Sequence, residues 1–290
     1  MANTVSQIMH QTKPWLLLAW VIISVSALES SAQSISVTHC QGECPRYESQ
    51  LAADRAKLVV HHLYAAGLNG DTGLADWSAY RLTSDAVGVA SLLPRTWQPD
   101  RLTEFSPLED LIVTENAELS LSEVATVSSN PYAGLSAEQT PPENRARLAP
   151  MTSFANTPYW SDLNNLSNMM PMPTPLRRGA WLQLEQRLNR LVAAKGELYV
   201  IAGPLFLISN LSLNPTSAEL NPAAYFKVVA DDSGIAAFVF PEQLGQFESF
   251  CAHQASLPEI EQMAGLDLFP GRRKTEVSAA LLDQLGCKGG

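Results

Sequence analysis

Short apolar runs separated by turn residues are the first feature of the chain. Residues 58–64 and 75–83 have the length and composition of strands, and an Asn-Gly-Asp-Thr-Gly cluster at 69–73 lies between them. This order predicts a β-hairpin. Residues 196–206 form a mostly apolar run with a Gly-Pro pair near its end, which predicts a buried strand that stops at the Gly-Pro.

A second pattern has helical spacing. The apolar positions that share one helical face are Trp181, Leu184, Leu188, Leu191 and Val192. They predict a helix over residues 176–194 whose apolar stripe packs in the core. Arg177 and Glu185 lie two turns apart on this helix, and Glu185 falls at the buried edge of the stripe. A carboxylate in that position needs a partner.

The N-terminus has the pattern of a targeting segment. Lys13 precedes an apolar run over residues 15–28, and small residues follow at 30–32. The run is shorter than the roughly 20 residues that a spanning helix needs. We therefore expect residues 1–32 to be a cleaved signal peptide and residues 33–290 to form the mature domain, with no membrane association after cleavage. An uncleaved anchor is the alternative.

Composition places the rest of the chain among globular proteins. Hydrophobic residues make up 46% and charged residues 17% of the 290 positions, the reverse of a disordered chain. The four cysteines of an exported protein suggest two disulfides, and three pairings are available. We favour the sequence-local pairs, Cys40–Cys44 and Cys251–Cys287. The spacings do not suit a zinc site.

Charge argues against strong non-specific binding to nucleic acid. The net charge is −10, whereas proteins that neutralise phosphates are more often basic. Residues 102–143 contain eight acidic side chains and no Lys, Arg or His, which suits a solvated surface insertion. His61 and His62 suggest a metal, but neighbours on a strand point to opposite faces, so a structural role is the better interpretation.

One stretch resembles a known family. Residues 144–150 spell Asn-Arg-Ala-Arg-Leu-Ala-Pro, 166–171 spell Leu-Ser-Asn-Met-Met-Pro, and 176–185 spell Leu-Arg-Arg-Gly-Ala-Trp-Leu-Gln-Leu-Glu. In this order they resemble the motifs of the DNA/RNA non-specific endonucleases. Further likeness runs from about residue 44 to 270, including a strand over 221–229 with its partner at 236–241. The resemblance implies an α+β fold of the ββα-metal (His-Me finger) type, with a central antiparallel sheet flanked by helices.

The resemblance also implies roles for individual residues. The catalytic positions that it implies are Arg147, Arg145, Arg95 and Glu185. The substrate contacts that it implies are Arg95, Arg145 and Arg178. Asn168 matches a motif residue at the metal, and the implied cofactor is Mg²⁺.

Two positions depart from the family pattern. Arg147 stands where the family has its general-base His, and a guanidinium stays protonated at any working pH. Arg177 stands where the family has its metal-ligand Asn, and it has no oxygen to offer Mg²⁺. Arg177 could instead replace the cation by pairing with Glu185, or it could point to solvent.

These departures set the functional expectation. We expect a secreted, periplasmic or cell-envelope protein of the endonuclease family, with nucleic acid as its implied partner and little or no hydrolysis. Two alternatives are an active nuclease or phosphodiesterase with a rearranged site, and a non-catalytic envelope protein whose partner is an unknown protein.

Overall fold

The computed structural model describes residues 37–70, 72–103, 140–206, 222–272 and 276–287. The predicted signal peptide and residues 104–139 of the predicted acidic insertion lie outside these ranges. Within the described ranges, no helix has both the length and the apolar character needed to cross a membrane.

A six-stranded sheet organises the chain. Its strand order is β2-β3-β4-β7-β8-β9, and every neighbouring pair is antiparallel. Two smaller pairs, β1 with β10 and β5 with β6, lie outside it. The strands are β1 (Arg46–Tyr47), β2 (Lys57–Val60), β3 (Ala65–Leu68), β4 (Ala75–Thr83), β5 (Arg145–Arg147), β6 (Met169–Pro171), β7 (Glu197–Leu205), β8 (Ala224–Asp231), β9 (Gly234–Pro241) and β10 (Leu266–Asp267).

Helices cover both faces of the sheet. They are α1 (Gln50–Arg55), α2 (Leu182–Lys195), α3 (Leu257–Ala264) and α4 (Ala279–Leu285). A helical turn, Thr174–Leu176, and a π turn, Arg177–Trp181, lead directly into α2. Single 3-10 turns occupy Arg101–Thr103, Pro142–Asn144, Met151–Ser153, Trp160–Asn164, Leu166–Asn168 and Phe250–His253.

The core forms two layers because side chains alternate across the strands. On one face, α2 and α4 pack on the sheet around Tyr80, Leu184 and Phe238. On the other face, α3 packs around Trp77 and Phe226. The predicted α+β fold with a central antiparallel sheet is confirmed, and so is the buried stripe of the long helix.

Two strand predictions need correction. The expected strand over 58–64 ends at Val60, where the chain turns and the His61 N–H donates to the Tyr64 carbonyl at 2.8 Å. The hairpin partner of β4 is therefore β3. The strand expected to stop at Gly-Pro continues through Pro204, which lies beyond the register with β4, so that β7 is paired there on one side only. Strands accept proline in that setting.

Both favoured disulfides are present. Cys40 bonds to Cys44 near the start of the described chain, and Cys251 bonds to Cys287 just after α4. The second bridge ties the C-terminal segment to the 3-10 turn that follows β9.

Candidate active site

A short β-ribbon places two of the predicted arginines. β5 pairs with β6 in the register Arg145 with Pro171 and Arg147 with Met169. Because side chains alternate along a strand, Arg145 and Arg147 point to one side while Ala146 points into the core. The ribbon therefore presents both guanidinium groups to the same cleft.

That cleft has a volume of ≈ 280 Å³ and an unusual charge. It lies between the ribbon with the segment just after β5, the start of α2, and the segment that follows β4. The charged residues that line it are Arg95, Arg145, Arg147, Arg177, Arg178 and Glu185. We call it the arginine cleft. In a chain of net charge −10, five arginines around one small opening form a strong local positive field.

Arg147 is fixed in place. Its Nε donates to the Leu163 carbonyl at 3.1 Å, its Nη2 donates to Asn164 Oδ1 at 2.5 Å, and its guanidinium lies 4.2 Å from the centre of the Trp97 ring. Burial, together with the charges of Arg95 and Arg177, lowers the pKa of Arg147 to about 10. The group therefore remains protonated at neutral pH, where it can attract an anion but cannot accept a proton from water.

Arg177 lies on the π turn before α2. Its Nη2 donates to the Glu143 carbonyl at 2.7 Å, which ties α2 to the 3-10 turn before β5. Burial, helped by the charge of Arg178, lowers the pKa of Arg177. The turn requires glycine at 179, because a Cβ there would lie 2.5 Å from the Gln246 carbonyl oxygen. Arg178 is exposed at the rim of the cleft.

Glu185 pairs with Lys227, so the pair with Arg177, one of the two alternatives for that arginine, does not form. Lys227 Nζ lies 2.9 Å from Glu185 Oε1 and 3.8 Å from the centre of the Trp181 ring. Lys227 is fully buried and Glu185 is 7% exposed. Burial raises the pKa of Glu185 and lowers that of Lys227, and each charge opposes the shift of the other. Strand β8 brings the lysine under α2, while Arg177 is held by the Glu143 carbonyl.

Comparison with known proteins identifies the family of this chain. A model of the DNA/RNA non-specific endonuclease family matches residues 45–275. The chain belongs to this family. The Nuclease of Serratia marcescens is 28% identical over 278 residues, which cover 90% of this chain and 94% of that protein. The Nuclease of Nostoc sp. PCC 7120 is 26% identical over 226 residues, 72% of each chain.

The fold has a solved counterpart. The crystal structure of EndoG in complex with EndoGI matches 74% of this chain and 86% of that chain, at a TM-score of 0.52 and 19% identity. The likeness identifies the fold as that of the ββα-metal nucleases.

The family's nucleases depend on a metal, typically Mg²⁺, but the residues present here do not fit that ion. Mg²⁺ requires oxygen ligands in near-octahedral geometry. Arg177, which the motif resemblance aligns with a metal ligand, has no oxygen to offer, and the Glu185 carboxylate is engaged by Lys227. No group of three or more His, Cys, Asp or Glu side chains is arranged to hold a metal in the described ranges. The polar lining of the arginine cleft is cationic instead.

Asn168 is a structural residue in this fold. Its Oδ1 accepts from the Ala149 N–H at 2.8 Å, and its Nδ2 donates to the carbonyls of Ala149 and Leu163 at 3.0 Å each. The side chain is fully buried and does not line the arginine cleft. These bonds join the segment just after β5 to the Trp160–Asn164 turn and the Leu166–Asn168 turn. The role of Asn168 as a metal ligand stays a prediction of the motif resemblance.

Sequence reasoning missed three residues that shape the site: Trp97, Asn164 and Lys227. Only Lys227 carried a signal that could have been used. It is the single charged residue in the apolar run 225–230, and a lysine is almost never buried without a partner. Asn164 and Trp97 reach Arg147 through tertiary packing, which no local pattern encodes. Arg95 and Arg145 line the arginine cleft. Arg95 Nη2 donates to the Ala90 carbonyl at 3.4 Å, and Arg145 Nε donates to the Thr140 carbonyl at 2.7 Å.

Proposed function

We propose that this protein is an exported family member that binds the phosphate backbone of nucleic acid in the arginine cleft and does not hydrolyse it. The single observation behind this proposal is the state of Arg147. A fixed, protonated guanidinium stands at the position of the general base, and it faces four further arginines across the cleft.

Loss of hydrolysis follows from the chemistry that the cleft lacks. Phosphodiester cleavage needs a base to deprotonate water, and loss of a general base alone typically costs a factor of about 10²–10⁴. Cleavage also needs the phosphate and the attacking water to be polarised, which a bound metal would do. Arg177 offers no oxygen to a metal and is held by the Glu143 carbonyl, and Glu185, the carboxylate that would order metal-bound water, is engaged by Lys227.

Phosphate binding follows from what the cleft retains. Arginine forms bidentate hydrogen bonds with phosphate oxygens. Arg95 and Arg178 are exposed, so their guanidinium groups can approach a ligand. The one carboxylate of the cleft, Glu185, is balanced by Lys227 and does not repel an anion strongly. Each arginine–phosphate contact releases condensed counterions from the nucleic acid, so binding should weaken as salt rises. The overall charge of −10 opposes binding at longer range, and salt screens that repulsion.

Export is supported by the sequence before residue 33 and by the two disulfides. Disulfides persist in oxidising compartments and are rare in the cytosol. The intact mass of the protein recovered from its native host tests this part. A mass that begins near Gln33 agrees with a cleaved signal peptide, and a chain that retains Met1 contradicts it.

Binding is tested by fluorescence anisotropy with a labelled oligonucleotide at low and moderate salt, without divalent metal. We expect wild type to bind, and we expect its logarithmic salt slope to fall by about 1 in Arg95→Ala or in Arg178→Ala, because each variant neutralises one phosphate fewer. Arg81→Ala is the matched control, because Arg81 is exposed and pairs with Glu197 away from the cleft. It removes the same charge and should leave the slope unchanged. The proposal fails if wild type does not bind, or if all three variants behave alike.

A further inference from the structure

A second and larger cleft lies beside the arginine cleft. Its volume is ≈ 780 Å³, and its lining includes His61, His62, Gln98, Asp100, Asp162 and Asn165. We call it the His62 cleft. It opens between the turn after β2, the segment before the Arg101–Thr103 turn, and the Trp160–Asn164 turn. Each of its two imidazoles has a carboxylate of its own.

The inner imidazole belongs to a rigid floor. His61 Nε2 lies 2.8 Å from Asp100 Oδ2, and the same carboxylate oxygen accepts from the Ser167 hydroxyl. The Tyr64 and Ser167 hydroxyls are 2.7 Å apart. Asp100 is 3% exposed, and although its burial raises the pKa, hydrogen bonds from His61 and Ser167 bring the pKa below its usual value. A buried network of this kind holds its members in one geometry.

The outer imidazole forms an exposed aromatic platform. The His62 ring stacks on Tyr159 with 4.0 Å between centroids and 3° between planes. His62 Nδ1 lies 2.9 Å from Asp162 Oδ2, which fixes the rotation of the ring. The His62 side chain is nevertheless 61% exposed and Tyr159 is 46% exposed. A flat ligand can therefore stack on this platform without any rearrangement of it.

The lining charges select the ligand. Asp100, Asp162 and Arg101 line the His62 cleft, so its fixed charge is negative when the imidazoles are neutral. A phosphate would be repelled there, in contrast to the arginine cleft. The amides of Gln98 and Asn165 bond to each other at 2.8 Å, and amides can hydrogen-bond to the edge of a heterocycle. A neutral, planar ring with N–H and carbonyl groups fits this lining.

The two clefts share a wall. Arg95 lines the arginine cleft and Gln98 lines the His62 cleft, and three residues span at most roughly 11 Å. On the facing segment, Asn164 holds Arg147 while the adjacent Asn165 lines the His62 cleft. A nucleic-acid strand whose phosphates occupy the arginine cleft can therefore place a neighbouring base on the His62 platform.

From these observations we infer that the His62 cleft is a base-binding subsite and that the ligand is single-stranded nucleic acid. This inference rests on the proposed phosphate binding in the arginine cleft. A duplex hides its base faces in the stack, whereas a single strand exposes them to aromatic side chains. The subsite recognises the ring face through His62, which stacks on Tyr159 behind it, and the ring edge through the polar side chains that line the cleft.

The experiment compares two labelled oligonucleotides of equal length by fluorescence anisotropy, one with bases and one built from abasic sugars. Both are tested as DNA and as RNA, and a blunt duplex is added as a third probe. We expect the single strand with bases to bind roughly tenfold more tightly than the abasic strand, which lies within the range that stacking one base provides. Per phosphate, the duplex should bind about as tightly as the abasic strand, because its base faces are hidden in the stack.

Variants at His62 separate stacking from a merely structural role. His62→Leu removes the aromatic face and should reduce the ratio of the two dissociation constants towards one. His62→Phe keeps a ring but loses the bond to Asp162, and it should retain most of the ratio. Thermal unfolding identifies any variant that fails to fold, and for such a variant Tyr159→Leu, compared with Tyr159→Phe, provides the same comparison on the other ring of the stack.

The outcomes distinguish the two proposals. If wild type binds both strands equally well and Arg178→Ala weakens both, phosphate binding stands and the base subsite is wrong. If neither strand binds, the proposed function fails and the subsite fails with it. If His62→Leu preserves the ratio, the platform does not contact the base and the inference is also overturned. A difference between DNA and RNA in the ratio would identify which nucleic acid the subsite prefers.

Discussion

Lys227 and Glu185 form a buried ion pair 2.9 Å apart beneath α2. The lysine comes from β8 of the six-stranded sheet and the carboxylate from the first turn of the helix, so the pair connects the two main elements of the fold. It also decides the chemistry of the site. With its carboxylate engaged by a fixed internal cation, the arginine cleft keeps no acidic group available to order metal-bound water.

The first prediction concerns the removal of the lysine. Lys227→Met leaves Glu185 as a buried charge without its partner, and truncation of one member of such a pair typically costs about 3–5 kcal/mol. Adding Glu185→Gln to that variant should recover much of the loss, because the stranded charge disappears. Urea denaturation of the two single variants and the double variant measures the coupling.

The loss of stability in Lys227→Met should depend on pH. The Lys227 charge opposes the rise that burial causes in the pKa of Glu185, so its removal raises that pKa further. A carboxyl whose folded pKa exceeds its unfolded value stabilises the fold below the unfolded pKa and loses that stability as pH rises through the folded pKa. Lys227→Met should therefore lose more stability at mildly alkaline than at mildly acidic pH. A pH-independent deficit would show that Glu185 is not the stranded group.

The second prediction separates Arg177 from Glu185. Arg177 bonds to the Glu143 carbonyl, and its truncation should not change the environment of the buried pair. A double-mutant cycle of Arg177→Ala and Glu185→Gln should be additive within about 0.5 kcal/mol, as for residues that share no partner. Coupling well above that value would restore the idea that Arg177 replaces the metal.

The third prediction is that Asn168 stabilises the fold and does not bind a metal. Asn168→Ala removes three hydrogen bonds to buried backbone groups of Ala149 and Leu163. Each buried group left without a partner costs about 1–3 kcal/mol, so the variant should be severely destabilised. Adding Mg²⁺ should change the free energy of unfolding by the same small amount in wild type and in the variant. A Mg²⁺-dependent gain in wild type that the variant lacks would show a metal role.

The fourth prediction compares the disulfides. In the chain-entropy model the Cys251–Cys287 bridge, with a separation of 36 residues, stabilises by about 4 kcal/mol, and the Cys40–Cys44 bridge, with a separation of 4, by about 2 kcal/mol. Paired Cys→Ser variants test this by urea denaturation. Equal losses, or a larger loss for the short loop, would contradict the ranking.

Particular residues show why part of the structure could be predicted. The helix stripe around Leu184 and Leu188 and the strand β4 are local patterns with a strong period, and both appear where the sequence placed them. The ordered motifs identified the family and the fold. The turn at His61 was missed because residues 58–64 keep the composition of a strand across it.

The site was harder because its partners come from distant segments. Arg147 is fixed by Asn164 and Trp97, and Glu185 by a lysine 42 residues further along the chain. Motif position assigned Arg147 and Glu185 to one catalytic site, but it could not show which side chains pair with which. The two imidazole–carboxylate pairs were missed for the same reason, since Asp100 and Asp162 lie 39 and 100 residues from their histidines.

The most direct measurement is the rate at which the purified wild-type protein nicks circular plasmid DNA, and degrades RNA, in Mg²⁺ and in Mn²⁺. The Arg147→His/Arg177→Asn variant is assayed beside it, since it restores the base and the ligand of the family. We expect no metal-dependent cutting by wild type above that of buffer. Metal-dependent cutting by wild type that Glu185→Gln abolishes would contradict the account, because the arginine cleft would then be a working hydrolytic site.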